Sequence, residues 1–506
     1  MSGVKRFFKS GIMLTLVGLA MRTASMLFGA FISRTVGAEG TGLYTLVMTV
    51  YSFAVTFATS GISLTVTRLV ASVIGEGRPS DVGRVLRGAF IYSLLFGLGG
   101  TLGLFFGADL LGKYILSDAR AASSLRILSL SLVPVSLSAA LSGYFVGVKR
   151  VSFNAAASVF CQLVKIALTA ALVINLAPRG IVAAVVGLCL GVTVTEILGF
   201  LLIFFEFLYD RHKNGEKSKT HRAGLAAVAT TALPLAFSAY VRSLLLNIEH
   251  ILIPKRLRDS GESSSEAYAH YGTLHGMALP LVTYPMSPLS SFAGLLVPEF
   301  AEDMSAGREE RMSRVATKAL NTTLAYAVIS AVFLFIFAEE LGYVVYKSYD
   351  AGYYISTLAL VVPIMYLDHV TDSMLKGIGE QVFSMWVNIT DSLLSVILVW
   401  LLIPRLGIMG YAVVIVLMES YNFALSFFRL RGKINFKINP VFSMIVPLFS
   451  SCFAAYLSRE LFHFGGSTAS ALWLVLKMIF ALSVTVFLLS IFHFRTENKK
   501  EKLKTT

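Results

Sequence analysis

The chain has 506 residues, of which 56% are hydrophobic and only 14% charged, and its mean hydropathy is +0.74. A soluble domain carries roughly 25% charged and about 45–50% apolar residues. These values exclude one large water-soluble globule, and the same apolar content excludes disorder. They leave a polytopic α-helical membrane protein. The formal net charge is +14, and its meaning depends on where the cations fall.

A membrane-crossing helix needs about 20 mostly apolar residues. The sequence predicts fourteen, over 11–33, 41–67, 88–108, 123–147, 152–175, 181–207, 225–253, 268–297, 319–339, 353–376, 382–403, 407–428, 440–462 and 469–493. The first run outlasts the ~7–15-residue apolar stretch of a signal peptide and no A-x-A site follows it, so it is expected to remain as a span. With both termini cytoplasmic, 28 of the 43 Lys and Arg fall in cytoplasmic loops and tails and 10 in outer loops. That bias follows the positive-inside rule and supports an even number of spans. It also gives the surplus charge an address other than a nucleic acid, and none is expected as a partner. Five cations lie within spans: Arg22, Arg126, Lys165, Arg242 and Lys477.

Two stretches read alike. Ala177-Pro178-Arg179-Gly180 and Ile403-Pro404-Arg405-Leu406-Gly407 each join two spans through an outer Pro-Arg turn, about 226 residues apart. The helix after each turn carries one buried acid, Glu196 and Glu419, one helical turn different in register and so on similar faces. A repeat of six spans follows, with residues 1–222 as an N-terminal lobe, 223–432 as a C-terminal lobe, and 433–506 as spans 13–14 with a basic tail. The expected fold class is all-α integral membrane: about 14 transmembrane helices, two six-helix lobes related by a pseudo-two-fold axis along the membrane normal, plus two C-terminal helices.

An ionisable residue at mid-bilayer costs at least about 2.5–3.5 kcal/mol and faces protein or a wet cavity. Arg22 is central in span 1, Arg242 in span 7 and Lys165 in span 5. Such cations suit an anionic headgroup, and Arg suits phosphate through its two-pronged fork. Lys165 can equally form an ion pair with Glu196. Arg34, Arg68 and Lys255, at span ends, complete the candidate headgroup set. In span 8, Pro280, Pro285 and Pro288 fall within nine residues and cannot sit in a straight helix. The span is expected to bend and to line a cavity or move. His270 and His275 sit near its outer end and read as interfacial histidines. In span 10, Asp368, Asp372 and Lys376 share one face. They suit ion coupling, with Glu196 and Glu419, or a self-neutralised packing stripe that Asp391 extends. No Gly-rich phosphate loop, H-E-x-x-H or G-x-S-x-G is present, and Cys161, Cys189 and Cys452 show no metal or disulfide spacing. No enzymatic activity, cofactor or metal is expected.

Further motifs carry a family resemblance. They are Ile32-Ser33-Arg34 through Gly40 and Gly42-Leu43-Tyr44; Gly61 through Arg68-Leu69-Val70; Leu233-Pro234 through Ile253-Pro254-Lys255-Arg256-Leu257; Gly276-Met277-Ala278-Leu279-Pro280-Leu281 with Pro285; Leu296-Val297-Pro298-Glu299; and Lys376-Gly377-Ile378-Gly379-Glu380-Gln381. The chain resembles the polysaccharide-transporter branch of the multidrug/oligosaccharidyl-lipid/polysaccharide exporter superfamily. It looks most like the stage V sporulation protein B group, relatives of the lipid II flippase. The resemblance implies a plasma-membrane protein that carries a lipid-diphosphate-linked saccharide, a cell-wall or polysaccharide precursor, to the outer leaflet by alternating access. It implies membrane lipids as the surroundings and a monomer as the unit. Cavity arginines of the flippases lie in spans 1, 2 and 8; Arg22 matches the first, span 2 offers Arg68 at its cytoplasmic end, and span 8 has no Arg. An ion-coupled exporter of small amphipathic compounds, of multidrug type, is the alternative.

Overall fold

The computed structural model describes residues 2–59, 61–76, 79–148, 150–214, 224–462 and 471–505. They form helices joined by short turns, with no strand among the described residues. In hydrocarbon every backbone N–H and C=O must be satisfied within its own segment, and the helix does this. Two compact units divide the chain: Thr35–Gly272, and Met1–Arg34 together with Thr273–Thr506.

The first helix, α1 (Ser2–Thr59), contributes to both units. It bends at Gly37, whose φ of 75° is open to glycine but strained for other residues. Predicted spans 1 and 2 are thus joined by a one-residue kink. In the Thr35–Gly272 unit there follow α2 (Ile62–Gly75), α3 (Val82–Leu110), α4 (Ala121–Ser129), α5 (Leu132–Gly147), α6 (Val151–Leu176), α7 (Ile181–Asn214), α8 (Leu225–Asp259) and α9 (Ser264–Tyr271). Leu86, Leu141, Phe145, Phe207 and Val228 build one of its apolar cores. Two backbones cross at near contact. A Cβ on Gly42 would stand 2.0 Å from the Tyr268 carbonyl oxygen, and one on Gly272 2.4 Å from that of Ala38. Only glycine permits this approach of α1 to α9.

The second unit continues through a π-wound stretch (Gly272–Ala278) into α10 (Leu279–Thr283), α11 (Met286–Ser305), α12 (Glu309–Ile336), α13 (Ala338–Leu341), α14 (Tyr349–Ala359), α15 (Val362–Gly377), α16 (Gln381–Leu406), α17 (Ile408–Lys433), α18 (Val446–Leu461) and α19 (Ala471–Thr505). Phe300, Met312, Leu320, Val370, Met374 and Leu430 form its core. The two Pro-Arg turns that read alike in sequence both end on glycine with positive φ, Gly180 at 111° and Gly407 at 58°.

Nine helices among the described residues are long and apolar enough to cross a membrane, or up to eleven if each bent pair is one span. The shortfall from fourteen falls in identifiable places. Ala20–Ile74 counts once although it contains the Gly37 kink, and span 8 is broken into short pieces.

The compact units also fall elsewhere than the predicted boundary at 222/223, which itself lies outside the described residues. The stretch up to Arg34 packs with the unit that holds Thr273–Thr506. The α8 helix packs with the other: Gly224 N–H bonds the Arg84 carbonyl at 3.1 Å, and a Cβ on Gly88 would meet Gly224 at 2.6 Å. The first helix of each sequence half therefore belongs to the unit built mainly from the opposite half. Apolar periodicity marks helices along the chain but carries no information on which helix the far partner is.

Candidate functional site

Span 8 breaks at Tyr284–Pro285, between α10 and α11. Pro285 and Pro288 have no N–H, so the carbonyls of Leu281 and Tyr284 lose their usual donors four residues on. The chain tightens instead: Tyr284 N–H bonds the Leu281 carbonyl at 3.2 Å and Ser287 N–H the Tyr284 carbonyl at 3.1 Å. Three side chains from other helices then address carbonyls around the break. Tyr366 Oη donates to Val282 O at 3.0 Å, Arg22 Nη2 to Thr283 O at 3.0 Å, and Tyr326 Oη to Pro285 O at 2.7 Å. Beside Arg22, Thr23 Oγ1 and Tyr284 Oη share a hydrogen bond of 2.7 Å. Pro280 opens α10, where a missing N–H is tolerated.

Arg22 is half-buried and has no acid partner among the described residues. One donor of its fork is fixed on a neutral carbonyl, so its full charge remains for an anion. An arginine held this way is preset to receive a phosphate oxygen without first breaking an ion pair.

The other candidates have different settings. In the same unit, Arg34 is tied to the carbonyls of Val344 and Val345, the latter at 2.7 Å, at the end of a π-wound segment. Asp368 on α15, Asp391 on α16 and Glu419 on α17 lie within electrostatic reach of one another. Asp372 pairs with Lys376 at 2.5 Å, so that part of the stripe neutralises itself. In the Thr35–Gly272 unit, Lys165 on α6 lies within electrostatic reach of Glu196 on α7. Arg242, central in α8, is exposed, as are Arg68 on α2 and Lys255 near the end of α8. No group of three or more His, Cys, Asp and Glu suited to a metal occurs among the described residues.

One cluster escaped sequence reading. Arg120 bonds Asp118 at 2.8 Å and Glu39 at 2.9 Å, and Ser265 Oγ donates to the other Glu39 oxygen at 2.7 Å. Tyr268 Oη donates to Leu116 O at 3.0 Å, and Arg258 Nη1 to Ser117 O at 3.2 Å. This clasp ties the α1 bend and the α3–α4 loop to the α8–α9 turn, inside one compact unit. Its hydrogen bonds, to Asp118 first and to Glu39, raise the pKa of Arg120 above its ordinary value. The one local signal was Asp118-x-Arg120; Glu39 and Ser265 are too distant in sequence to point to it. The tyrosines at the break escaped for the same reason, since Tyr326 and Tyr366 sit in spans of their own.

With this geometry in view, the comparisons with known proteins are specific. The family described as "Polysaccharide biosynthesis protein" matches residues 7–304. The chain belongs to that family. The MatE family matches residues 275–401. The chain is 26% identical over 423 residues to stage V sporulation protein B of Bacillus subtilis (strain 168), covering 81% of this chain and 80% of the relative. It is 21% identical to sporulation protein YkvU of the same organism, covering 70% and 79%. Among solved structures it is similar to the lipid II flippase MurJ in an inward closed conformation, with TM-score 0.72, 14% identity and coverage of 96% of this chain and 99% of that one. An inward-facing multidrug resistance transporter of the MATE family aligns with TM-score 0.69 at 16% identity, covering 83% and 98%. At these identities the structures establish the fold: an all-α, multi-pass membrane protein of the same architecture.

Proposed function

We propose that the protein is a flippase for a lipid-diphosphate-linked saccharide, a cell-wall or polysaccharide precursor, moving it from the cytoplasmic to the outer leaflet of the plasma membrane by alternating access. The observation that carries this reading is Arg22, a span-centre cation bonded to a neutral carbonyl at a broken helix rather than to an acid. Arg242, in the other unit, is a second candidate for the same chemistry. The family, the likeness to stage V sporulation protein B and the printed activity of the MurJ neighbour support it. Both termini are placed in the cytoplasm on the 28-to-10 distribution of cations. The protein acts as a monomeric transporter and catalyses no covalent step.

The broken span 8 supplies the moving part. Its break is held by three side-chain donors instead of a continuous helical ladder, and such a joint changes angle by exchanging a few hydrogen bonds. The test is a leaflet-accessibility assay on reconstituted protein with a fluorescent lipid-diphosphate sugar. Headgroups are expected to become accessible on the outer face; accessibility no faster than in empty vesicles overturns the proposal.

A second reading, an ion-coupled exporter of small amphipathic compounds, has one observation in its favour: the neighbouring carboxylates Asp368, Asp391 and Glu419. With Asp372 and Glu196 they are the candidates for coupling to a proton or sodium ion. Efflux of a cationic dye that collapses with the ion gradient, alongside unchanged lipid flipping in Asp368→Asn, would favour it.

A further inference from the structure

At the end of the bundle where α12 begins and α17 ends, the chain runs extended from Ile434 to Asn439 before α18 and its π-wound lead-in. The side chains of this strap alternate as an extended backbone requires. Ile434 and Phe436 are buried in the apolar core and Ile438 packs against it, while Asn435 and Lys437 face outward. Polar bonds lace the strap to α12. Ser313 Oγ bonds the Asn435 carbonyl, Lys437 N–H bonds Thr317 Oγ1 at 3.1 Å, and Asn321 Nδ2 bonds the Lys437 carbonyl at 2.9 Å. Asn321 Oδ1 in turn accepts from Asn439 N–H at 2.8 Å and Ser443 Oγ at 2.6 Å.

Between strap and helix lies a cavity of about 290 Å³ lined by these polar groups and by Arg314, Lys318 and Lys437. No carboxylate lines it. Four neighbouring cations at this end are paired: Arg308 and Arg311 with Glu302, Asp303 and Glu299, and Arg429 and Lys433 with Glu380. Arg314, Lys318 and Lys437 have no acid partner among the described residues. Like charges converge on one cavity only at an electrostatic cost, which a bound anion removes. The cavity also lies near the starts of two helical segments, Glu309–Ile336 and Val441–Leu461, that are long and apolar enough to cross a membrane. Basic pockets at such positions take anionic lipid headgroups.

We infer that this cavity is a binding site for a phosphate group, separate from Arg22 and independent of the transport reading, and that its natural occupant is the headgroup of an anionic phospholipid. The fork of Arg314 and the two ammonium groups hold the phosphate oxygens; Ser313, Thr317 and Asn321, pinned by the strap, fix the cavity's shape.

The experiment uses the delipidated full chain in detergent, with lipid binding counted by native mass spectrometry and stability followed by the thermal midpoint. The probes are phosphatidylglycerol, phosphatidylcholine with the same tails, and soluble glycerol 3-phosphate. Phosphatidylglycerol is expected to bind at least tenfold more tightly than phosphatidylcholine, and a triple variant R314Q/K318Q/K437Q to lose that preference. A charge-matched control at the exposed Lys113, Arg405 and Arg459 is expected to keep it. Glycerol 3-phosphate matching the lipid's protection at equal free concentration supports the site but makes a soluble phosphate the ligand. Equal affinity for the two lipids together with no effect of glycerol 3-phosphate, or a triple variant that binds as wild type does, overturns the inference. Should the triple variant not fold, Lys437→Gln alone leaves the backbone lacing intact. It is expected to weaken binding at least threefold, and unchanged binding overturns the inference equally.

Discussion

Arg22, central in its span, and Arg120, in the turn before α4, are guanidinium groups held in opposite ways. Arg120 is enclosed by acids: Asp118 and Glu39 take its donors, and the resulting clasp holds together segments from both halves of the chain. Arg22 is bonded to a backbone carbonyl that a proline-broken helix exposes, and no acid among the described residues cancels its charge. The first arrangement uses charge for cohesion and leaves nothing to offer a ligand. The second uses a bond to a neutral group for position and keeps the charge available. A buried cation becomes a candidate binding residue by the kind of group that holds it, not by its burial alone.

The most damaging way to break this contrast is Arg22→Ala. A charge-assisted hydrogen bond contributes about 1.5–3 kcal/mol, which corresponds to a roughly ten- to hundredfold loss of headgroup translocation. Arg22→Lys keeps the charge but not the fork and is expected to fall between. The leaflet-accessibility assay reads both. Wild-type translocation in Arg22→Ala, with the protein folded, would place Arg22 with Arg120 as a purely structural cation.

Next in size is the break itself. Tyr366 is wholly buried and donates to the Val282 carbonyl. Tyr366→Phe leaves that acceptor without its side-chain donor, at a cost of about 1–3 kcal/mol in general and nearer the lower end in membrane bundles, where such bonds average ~0.6 kcal/mol. Reversible unfolding in mixed detergent micelles measures it. No loss of stability would mean that the carbonyl finds another donor, and that the joint at Tyr284–Pro285 is not held in the way the structure indicates.

The helices, their broken member and the span-centre position of Arg22 are legible in the sequence because each depends on local facts: apolar runs of fixed length, three prolines in nine residues, a cation far from either end of its span. What holds Arg22 is not legible. Its acceptor lies 261 residues away on a backbone atom, and any residue supplies a carbonyl. Sequence distance alone hid the Glu39–Arg120 pair, 81 residues apart, and the exchange of first helices between the compact units. Lys165 lies within electrostatic reach of Glu196, which leaves open both of its settings, a pair with that acid or a site for an anionic headgroup.

A smaller effect sharpens the other side of the comparison. Arg120 is 37% exposed at its side chain, so its clasp is partly screened by solvent. Arg120→Ala or Glu39→Gln is expected to cost about 0.2–1 kcal/mol. Because the screening length is ~8 Å at physiological ionic strength and shorter in concentrated salt, 0.5 M NaCl is expected to narrow the gap between wild type and variant. A thermal midpoint difference that ignores salt would mean that the hydrogen bonds of Ser265, Tyr268 and Arg258, rather than the charges, hold this turn.

The smallest effect is a pH dependence at Glu380, which joins α15 to α16 outside the membrane-crossing segments. Its hydrogen bonds to Arg429, at 2.8 Å, and to Lys433, at 3.0 Å, hold its carboxyl below the usual value, Arg429 being the larger cause. A folded-state pKa below the unfolded one contributes stability at and above the unfolded pKa of ~4.3. That contribution fades as pH falls through the lowered folded value, when the carboxyl takes up a proton in both states. Glu380→Gln is therefore expected to have a lower thermal midpoint than wild type at pH 7, and the two curves to converge as pH drops below about 4. The window lies on the acid side because the group whose pKa is lowered is a carboxylate. A difference that persisted at pH 3 would assign the effect to packing of the Glu380 stem instead of to its charge, and the end of α17 would then be held by contacts that do not involve the carboxylate, such as Arg429 over the Phe383 ring at 5.1 Å.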